Sequence, residues 1–473
     1  KSRGAVTGWL NGQRTCNLPN LGGGIENFSL GESEPGKEPF KGWIAEFRYS
    51  TFKPGKFDPV SDFLMDTEQL RVVQAAEQKE RTKLVDLIVK APGVAVVKEF
   101  DEKAATDDWL IKPPETRAFV QVIPATGPAT GRQGARIMIG NGLVSRTFAV
   151  ADGNIGCISF KRSDKNIEFI RAIKPEARIC LDGRWTDIGG LNGAADRAFI
   201  TPEWFERLES RRGAFKLTGM DVGPCVAPYE WKPKCNAPAD VVWPAKGRRI
   251  TFHFAENRVA VDVTYEIYDG IPVMMKTFTL RNGTDKEMAV TKFEGECLAV
   301  QPTVSRLIHV ESDYSFGLAN FTEQSSGLGI HASGGRAGFK DYYLGGGTTR
   351  FVRDPEWGSM ATLNPAEDIF LADPENALLI SRPSVGPNWT VTAGGEFKAF
   401  RTFEILNDVP RLTERAFLAQ RRFYRKLAPQ TNEKMFELHA PMTADVNRLG
   451  PGIDQMAAVG FKRIGYERLM FGT

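Results

Sequence analysis

Pairs that favour positive φ punctuate the chain at Asn11-Gly12, Asn141-Gly142, Asp152-Gly153, Asp182-Gly183, Asn192-Gly193, Asp269-Gly270 and Asn282-Gly283, the preference of tight hairpins. Between them apolar and polar positions alternate. Ile250, Phe252 and Phe254 stand against Thr251 and His253, and Val259, Val261, Val263, Tyr265 and Ile267 stand against polar neighbours. This period of two predicts antiparallel strands with one buried face and one wet face. Three stretches break the pattern. Residues 61–90 carry Phe63, Leu64, Leu70, Val73, Ala76, Leu84, Leu87 and Ile88 at helical spacing before Pro92-Gly93, which predicts a helical linker or insert. Residues 411–428 place Leu412, Ala416, Phe417, Ala419, Phe423, Tyr424 and Leu427 on one stripe of an Arg-rich helix that Pro429 ends, the pattern of a strut between domains. In the tail, Met435 to Leu438 reads as a strand, Gly452 to Val459 as a short helix and Ile464 to Phe471 as a second strand, a β-α-β order found nowhere earlier.

A chain of 473 residues exceeds one ordinary core, so two or three domains are expected. Hydrophobic content of 42% and charged content of 25% suit a globular protein, and no apolar run reaches the ~20 residues of a membrane span. The 61 basic and 58 acidic residues are dispersed without a basic block, which argues against a nucleic-acid partner. Lys1 begins inside a running β pattern with no Met and no signal peptide, so the chain reads as a fragment. Its six cysteines form no C-x-x-C or Cys/His cluster, and no cofactor or metal site is expected. Cys157, Cys180 and Cys297 fall in apolar strands and are expected as buried thiols, whereas Cys225 and Cys235 flank a Pro-rich loop that a disulfide could close or leave open. Sequons at Asn27, Asn282, Asn320 and Asn388 are compatible with export. No internal repeat is evident.

The hairpin Gly8-Trp9-Leu10-Asn11-Gly12, the run Gly22-Gly23-Gly24 leading to Leu30-Gly31, and the segment Phe40 to Tyr49 around Gly42-Trp43-Ile44-Ala45-Glu46-Phe47-Arg48 resemble the closing strands of a laminin-G/concanavalin-like jelly roll. Farther on stand Leu143 to Phe148, Leu181-Asp182-Gly183, Ile188 to Leu191, Trp243-Pro244-Ala245-Lys246-Gly247 and Lys276 to Thr284. These resemble the N-terminal super-sandwich that precedes the barrel in α-galactosidase-like (melibiase, family-36-type) glycoside hydrolases. In the tail, Ile453 to Phe461 looks like the first helix of a (β/α)₈ barrel and the turn into its second strand. The resemblance implies a mainly β fold. Its centre is a large antiparallel β-super-sandwich of the galactose-mutarotase-like kind, preceded by a partial jelly roll and followed by the first β-α-β of a truncated barrel. The expected divisions are 1–55 for the jelly-roll part, 56–109 for a helical linker, 110–410 for the sandwich, 411–431 for a connecting helix and 432–473 for the barrel start.

Glycoside hydrolysis needs two carboxyl groups flanking the bond, about 5–5.5 Å apart for retention. The resemblance implies that they lie at the ends of later barrel strands, beyond Thr473, so no catalytic residue is assigned within the chain. Asp182, Asp187, Asp196 and Asp221 read as turn and surface groups. His439 closes the first expected barrel strand and is a candidate for the substrate pocket, with a packing role equally open. His253, His309 and His331 join no constellation. Trp185, Trp204, Tyr229, Trp231 and Trp243 cluster within one stretch. Since sugar C–H faces stack on rings, Trp185 and Trp231 are candidates for a sugar-facing surface, the alternative being the sandwich core or an interdomain seam. The expected partner is carbohydrate, the expected location extracellular or periplasmic, and the oligomeric state is open. A non-enzymatic carbohydrate-binding or adhesion protein of β modules is the competing reading.

Overall fold

The structure, a computed structural model, describes residues 4–10, 13–21, 32–34, 37–39, 67–112, 114–126, 133–192, 208–233, 241–313, 349–352, 354–357, 378–383, 386–410, 413–430, 437–440, 446–460 and 463–466. The chain divides into two units, Lys1–Glu80 and Arg81–Thr473. In the first, Gly4–Leu10 pairs antiparallel with Gln13–Leu21, with Leu10 opposite Gln13, and Glu32–Glu34 pairs with Lys37–Pro39. The Phe40 to Tyr49 segment lies outside the described residues.

The second unit is built from antiparallel sheets. Gly247–Glu256, Val259–Tyr268 and Val273–Asn282 form the centre of a seven-stranded sheet, flanked by Lys216–Pro224 on one side and by Thr402–Leu406 and Ile308–Ser312 on the other, with Glu396–Lys398 also on Val273–Asn282. A six-stranded sheet runs in the order 167–168, 154–162, 144–151, 133–140, 119–126 and 95–96, its last pair parallel. Two four-stranded sheets and a two-stranded pair, Leu191–Asn192 with Glu209–Ser210, accompany them. The alternation along the central strands is borne out. Ile250, Phe252, Phe254, Val261, Val263, Tyr265 and Ile267 are all buried, while Thr251, His253, Asp262 and Thr264 keep access to solvent. Phe148 of the six-stranded sheet meets Phe252 and Tyr265 of the seven-stranded sheet at centroid distances of 5.0 and 5.1 Å, so one apolar core joins both layers. Fully burying side chains of this size contributes roughly 1.5–3 kcal/mol each.

Turn chemistry follows the sequence in part, since positive φ falls on the glycine alone in Asn141-Gly142 and Asp269-Gly270 and on neither residue of Asn282-Gly283. Asp152-Gly153 and Asp182-Gly183 have positive φ at both residues, the two-residue hairpin geometry whose twist matches the flanking strands. Asn141-Gly142 is held differently. The Asn141 amide is buried, donating to the Tyr268 and Ile271 carbonyls at 2.6 and 2.8 Å and accepting from Leu143 and Val144 N–H at 2.9 and 3.0 Å, so the turn is tied to the other layer. Gly142 sits at φ +81°, and a Cβ there would lie 2.5 Å from the Lys103 carbonyl.

The three departures from alternation also appear. Helix α1, Thr67–Val89, buries Leu84, Val85 and Ile88 against the sandwich core. Leu87, expected on the buried stripe, is 52% exposed, because Val85 takes the inward position between Leu84 and Ile88. Helix α2, Glu414–Leu427, begins where the Thr413 hydroxyl accepts the Ala416 N–H at 3.3 Å. It buries Ala416, Ala419, Phe423 and Leu427. Phe417, expected on the same stripe, lies outside with Leu418, since the 3-4-4 spacing of the buried set leaves position 417 turned away. Leu412 lies outside the described residues. In the tail, Glu437–Ala440 and Arg463–Tyr466 pair in parallel with helix α3, Val446–Ala458, between them in sequence.

Candidate functional site

The sequence-derived positions separate in space. Trp185 stands on the edge strand Arg184–Ile188, its ring covered by the Arg178 guanidinium at 5.1 Å. Arg178 in turn pairs with Asp187 at 3.0 Å and Glu294 at 3.2 Å, so this tryptophan borders an ionic surface. Trp231 belongs to a second cluster. Its ring meets Trp243 edge-on at 5.8 Å, Trp243 lies 4.8 Å from Tyr229, and the Trp243 indole N–H donates to the Tyr229 carbonyl at 3.3 Å. The Tyr229 hydroxyl donates to the Gln430 side chain just past α2. The recess behind Trp243, lined also by Tyr268, Arg401 and Leu427, has a volume of about 10 Å³, room for a water at most. A sugar touching these rings would lie on their outer faces. His439 pairs in register with Gly465 on the terminal parallel strands, and nothing further of its side chain is described. Trp204, Asp196 and His331 lie outside the described residues.

The acidic residues read as turn and surface groups have such partners. Asp182 accepts the Ala289 N–H at 2.8 Å, Asp187 binds Arg178 and Arg211, and Asp221 accepts from His253 at 3.0 Å. His253 is also bonded through Nδ1 to Asp262 at 2.8 Å. The Asp262 hydrogen bond raises its pKa above the ordinary histidine value, with Asp221 adding to the effect against partial burial. His309 is buried, 2.6 Å from the Glu311 carboxylate, which also accepts from Gln420 and Tyr424 of α2.

A centre that pattern reading passed over lies between the layers. Arg146, Glu176, Lys276, Glu296 and Glu404 are each no more than 1% exposed. Arg146 binds Glu296 through two guanidinium nitrogens at 3.0 and 3.4 Å, and Lys276 binds the same carboxylate at 2.7 Å. Lys276 also donates to the Glu176 carbonyl, and Tyr265 donates to the Glu176 carboxylate. Burial pushes the Glu296 carboxyl up, but the two cations outweigh it and hold it well below the usual carboxylate range. Glu404 goes the other way. Burial and the neighbouring Glu296 charge raise it, and among the described residues neither of its oxygens has a hydrogen-bond partner. The signal in the sequence is a single charge inside each of several apolar strands, as in Leu143 to Phe148, Val273 to Leu280, Glu296 to Val300 and Thr402 to Leu406. Facing no solvent, these charges link strands of different sheets within the core.

The four described cysteines, Cys157, Cys180, Cys225 and Cys297, are buried free thiols. Burial pushes the Cys157 thiol up to about 12, leaving it unreactive. Cys225 donates toward the Ile267 carbonyl at 3.6 Å, and Cys235 lies outside the described residues. The Asn282 sequon is structural. That amide is 1% exposed, donates to the Lys286, Val391 and Thr392 carbonyls and accepts from Thr284, so it is committed to a turn and not presented for glycosylation. No described helix is long and apolar enough to cross a membrane.

No protein-family model matches the sequence, and no curated protein matches it. Similar solved structures include the α-galactosidase of Lactobacillus brevis, at 10% identity and a TM-score of 0.35 over 74% of this chain and 50% of that one. The GH36 α-galactosidase AgaA of Geobacillus stearothermophilus follows at 9% identity and a TM-score of 0.32, over 71% of this chain and 50% of that one. A TPR-domain containing protein of Parabacteroides distasonis is similar at 10% identity and a TM-score of 0.27, over 59% of this chain and 48% of that one. The chain thus spans about half the length of the solved structures it matches.

Proposed function

We propose that this chain is the non-catalytic β-sandwich portion of an α-galactosidase-like glycoside hydrolase acting on an oligo- or polysaccharide outside the cytoplasm, with the hydrolytic carboxylates beyond Thr473. The observation that carries this reading is where the resembling segments fall. Leu143 to Phe148 runs into the strand Val144–Ala151, Leu181-Asp182-Gly183 forms a hairpin, and Trp243 to Gly247 leads into Gly247–Glu256. Lys276 to Thr284 occupies the central strand Val273–Asn282 and its turn. Each of these strings therefore lies on a strand or turn of the antiparallel sheets, which supports the reading. Helix α2 supports the same reading. It is packed on the sandwich by Phe423 against Phe403 at 5.2 Å and clamped by Arg415 to Asp108 and Asp408 at 2.7 and 2.8 Å. It leads on to a strand, helix and parallel strand, the unit from which a (β/α)₈ barrel is assembled.

In this reading the sandwich orients and stabilises a barrel, and the jelly-roll segments before it serve polysaccharide targeting. His439 would face the barrel mouth, and Trp185 or Trp231 would offer a ring to sugar. The buried ionic centre fits a scaffold role, since both Glu296 and its cations are consumed by one another. The purified chain is expected not to hydrolyse an aryl α-galactoside above background, and turnover at enzymatic rates would overturn the placement of the chemistry. Sequencing the coding region past Thr473 decides between this and a β-only binding protein. Further alternating strands and helices with aspartates at strand ends are expected, whereas an immediate stop codon sinks the enzyme assignment.

A further inference from the structure

On the flank of α2 lies a cavity of about 640 Å³ bounded by the Asp269-Gly270 turn and by Trp109. Its charge is one-sided. Arg117, Lys246, Arg421, Arg422, Arg425 and Lys426 line it, and Asp269 is the acidic residue among the described lining. Asp269 is already engaged, its carboxylate with Arg117 at 3.1 Å and its carbonyl with Lys426. Arg422 donates to the Leu110 carbonyl at 2.7 Å, yet its Nε is buried and has no hydrogen-bond partner. The side chains of Lys246 and Arg421 are exposed and make no hydrogen bond or ion pair among the described residues. The back wall is apolar, from Trp109, Ala245 and Ile271, and Val242 and Leu418 stand half-exposed at the rim.

Converging cations repel one another, and low-dielectric walls focus their field into the cavity, so an anion entering it is stabilised more than at an open surface. Guanidinium groups bind carboxylate, sulfate and phosphate oxygens in paired hydrogen bonds, and the cavity volume falls in the range of small-molecule sites, roughly 300–1,000 Å³. We propose that this cavity binds a small organic anion carrying at least two acidic groups, held by Arg421, Lys246 and Arg422, with its ring or carbon body against Trp109 and Ile271. The anionic groups could belong to an acidic sugar, as uronate or sulfate ester, or to a phosphorylated metabolite. The site stands independently of the enzyme assignment above, since it rests on charge and shape alone.

Titration calorimetry of the full chain with a uronic-acid trisaccharide, a sulfated disaccharide, a sugar bisphosphate and neutral galactotriose tests it. Saturable binding by one or more of the three anions is expected, weakening as salt screens the pocket. The combination of Arg421→Glu with Lys246→Ala is expected to reduce that affinity by about tenfold or more while leaving the melting temperature unchanged. Binding confined to the acidic sugars identifies a glycan as the source, and binding confined to the bisphosphate identifies a metabolite. Either result supports the site. Absence of binding by all three anions overturns it. So does undiminished affinity in the double variant, or an equal loss in the control Arg258→Gln, which removes an exposed cation elsewhere and would show that only diffuse charge matters.

Discussion

Glu296 and Glu404 show how two like residues in one core acquire opposite states. Glu296 is ionised by its two cations, so its contribution to stability is present above the unfolded carboxyl value of about 4.3 and is lost as pH falls through the lower folded value. Glu404 is raised, so its contribution favours the fold at acid pH and declines as pH rises from about 4.3 toward the folded value. Replacing Glu296 by Gln leaves Arg146 and Lys276 buried without their counter-charge and should destabilise the protein by about 3 kcal/mol or more. Glu404→Gln removes the cost of keeping the carboxyl protonated and should stabilise the protein more at pH 8 than at pH 5. Denaturant unfolding at both pH values separates the two, and a destabilising Glu404→Gln at pH 8 would refute the protonated assignment. On the outer face, His253 gains Asp262 and Asp221 on folding. Its contribution is complete below the unfolded histidine value of about 6.5 and is lost as pH climbs through the raised folded value, so Asp262→Asn should lower the pKa read from the imidazole NMR shifts.

Helix α2 is the element whose sequence said most and whose packing still had to be seen. Pro429 marked its end in the sequence, whereas the Thr413 cap that starts it two residues later than the stripe suggested emerged only from the structure. The apolar stripe was legible too, except that Phe417 and Leu418 face outward. Amphipathic spacing defines a face only to within about one position, and the underlying sheet selects which side chains fit it. Phe423→Ala removes the ring that meets Phe403 and should cost about 3–5 kcal/mol. Arg415→Ala, at the rim between Asp108 and Asp408, should cost about 1 kcal/mol. Thermal melts of both variants check the ranking, and equal losses would mean that the helix is held by charge and not by burial.

For the second unit as a whole, one apolar cluster extends through both large sheets and the end of α1, so the layers should melt together. Phe148→Ala, at the point where the sheets meet, should destabilise by about 3–5 kcal/mol without splitting the transition, and two separate transitions by calorimetry would contradict a shared core. The antiparallel strands, their alternating faces and the hairpins at Asp152 and Asp182 were determined by the sequence itself, because period-two patterning and positive-φ turns act over a few residues. The ionic centre, the commitment of Asn141 and Asn282 to buried turns, and the cavity beside α2 were decided by the tertiary structure. Each joins residues over a hundred positions apart, such as Arg146 to Glu296 and Asn141 to Tyr268, and no local periodicity records which distant strand will supply the partner.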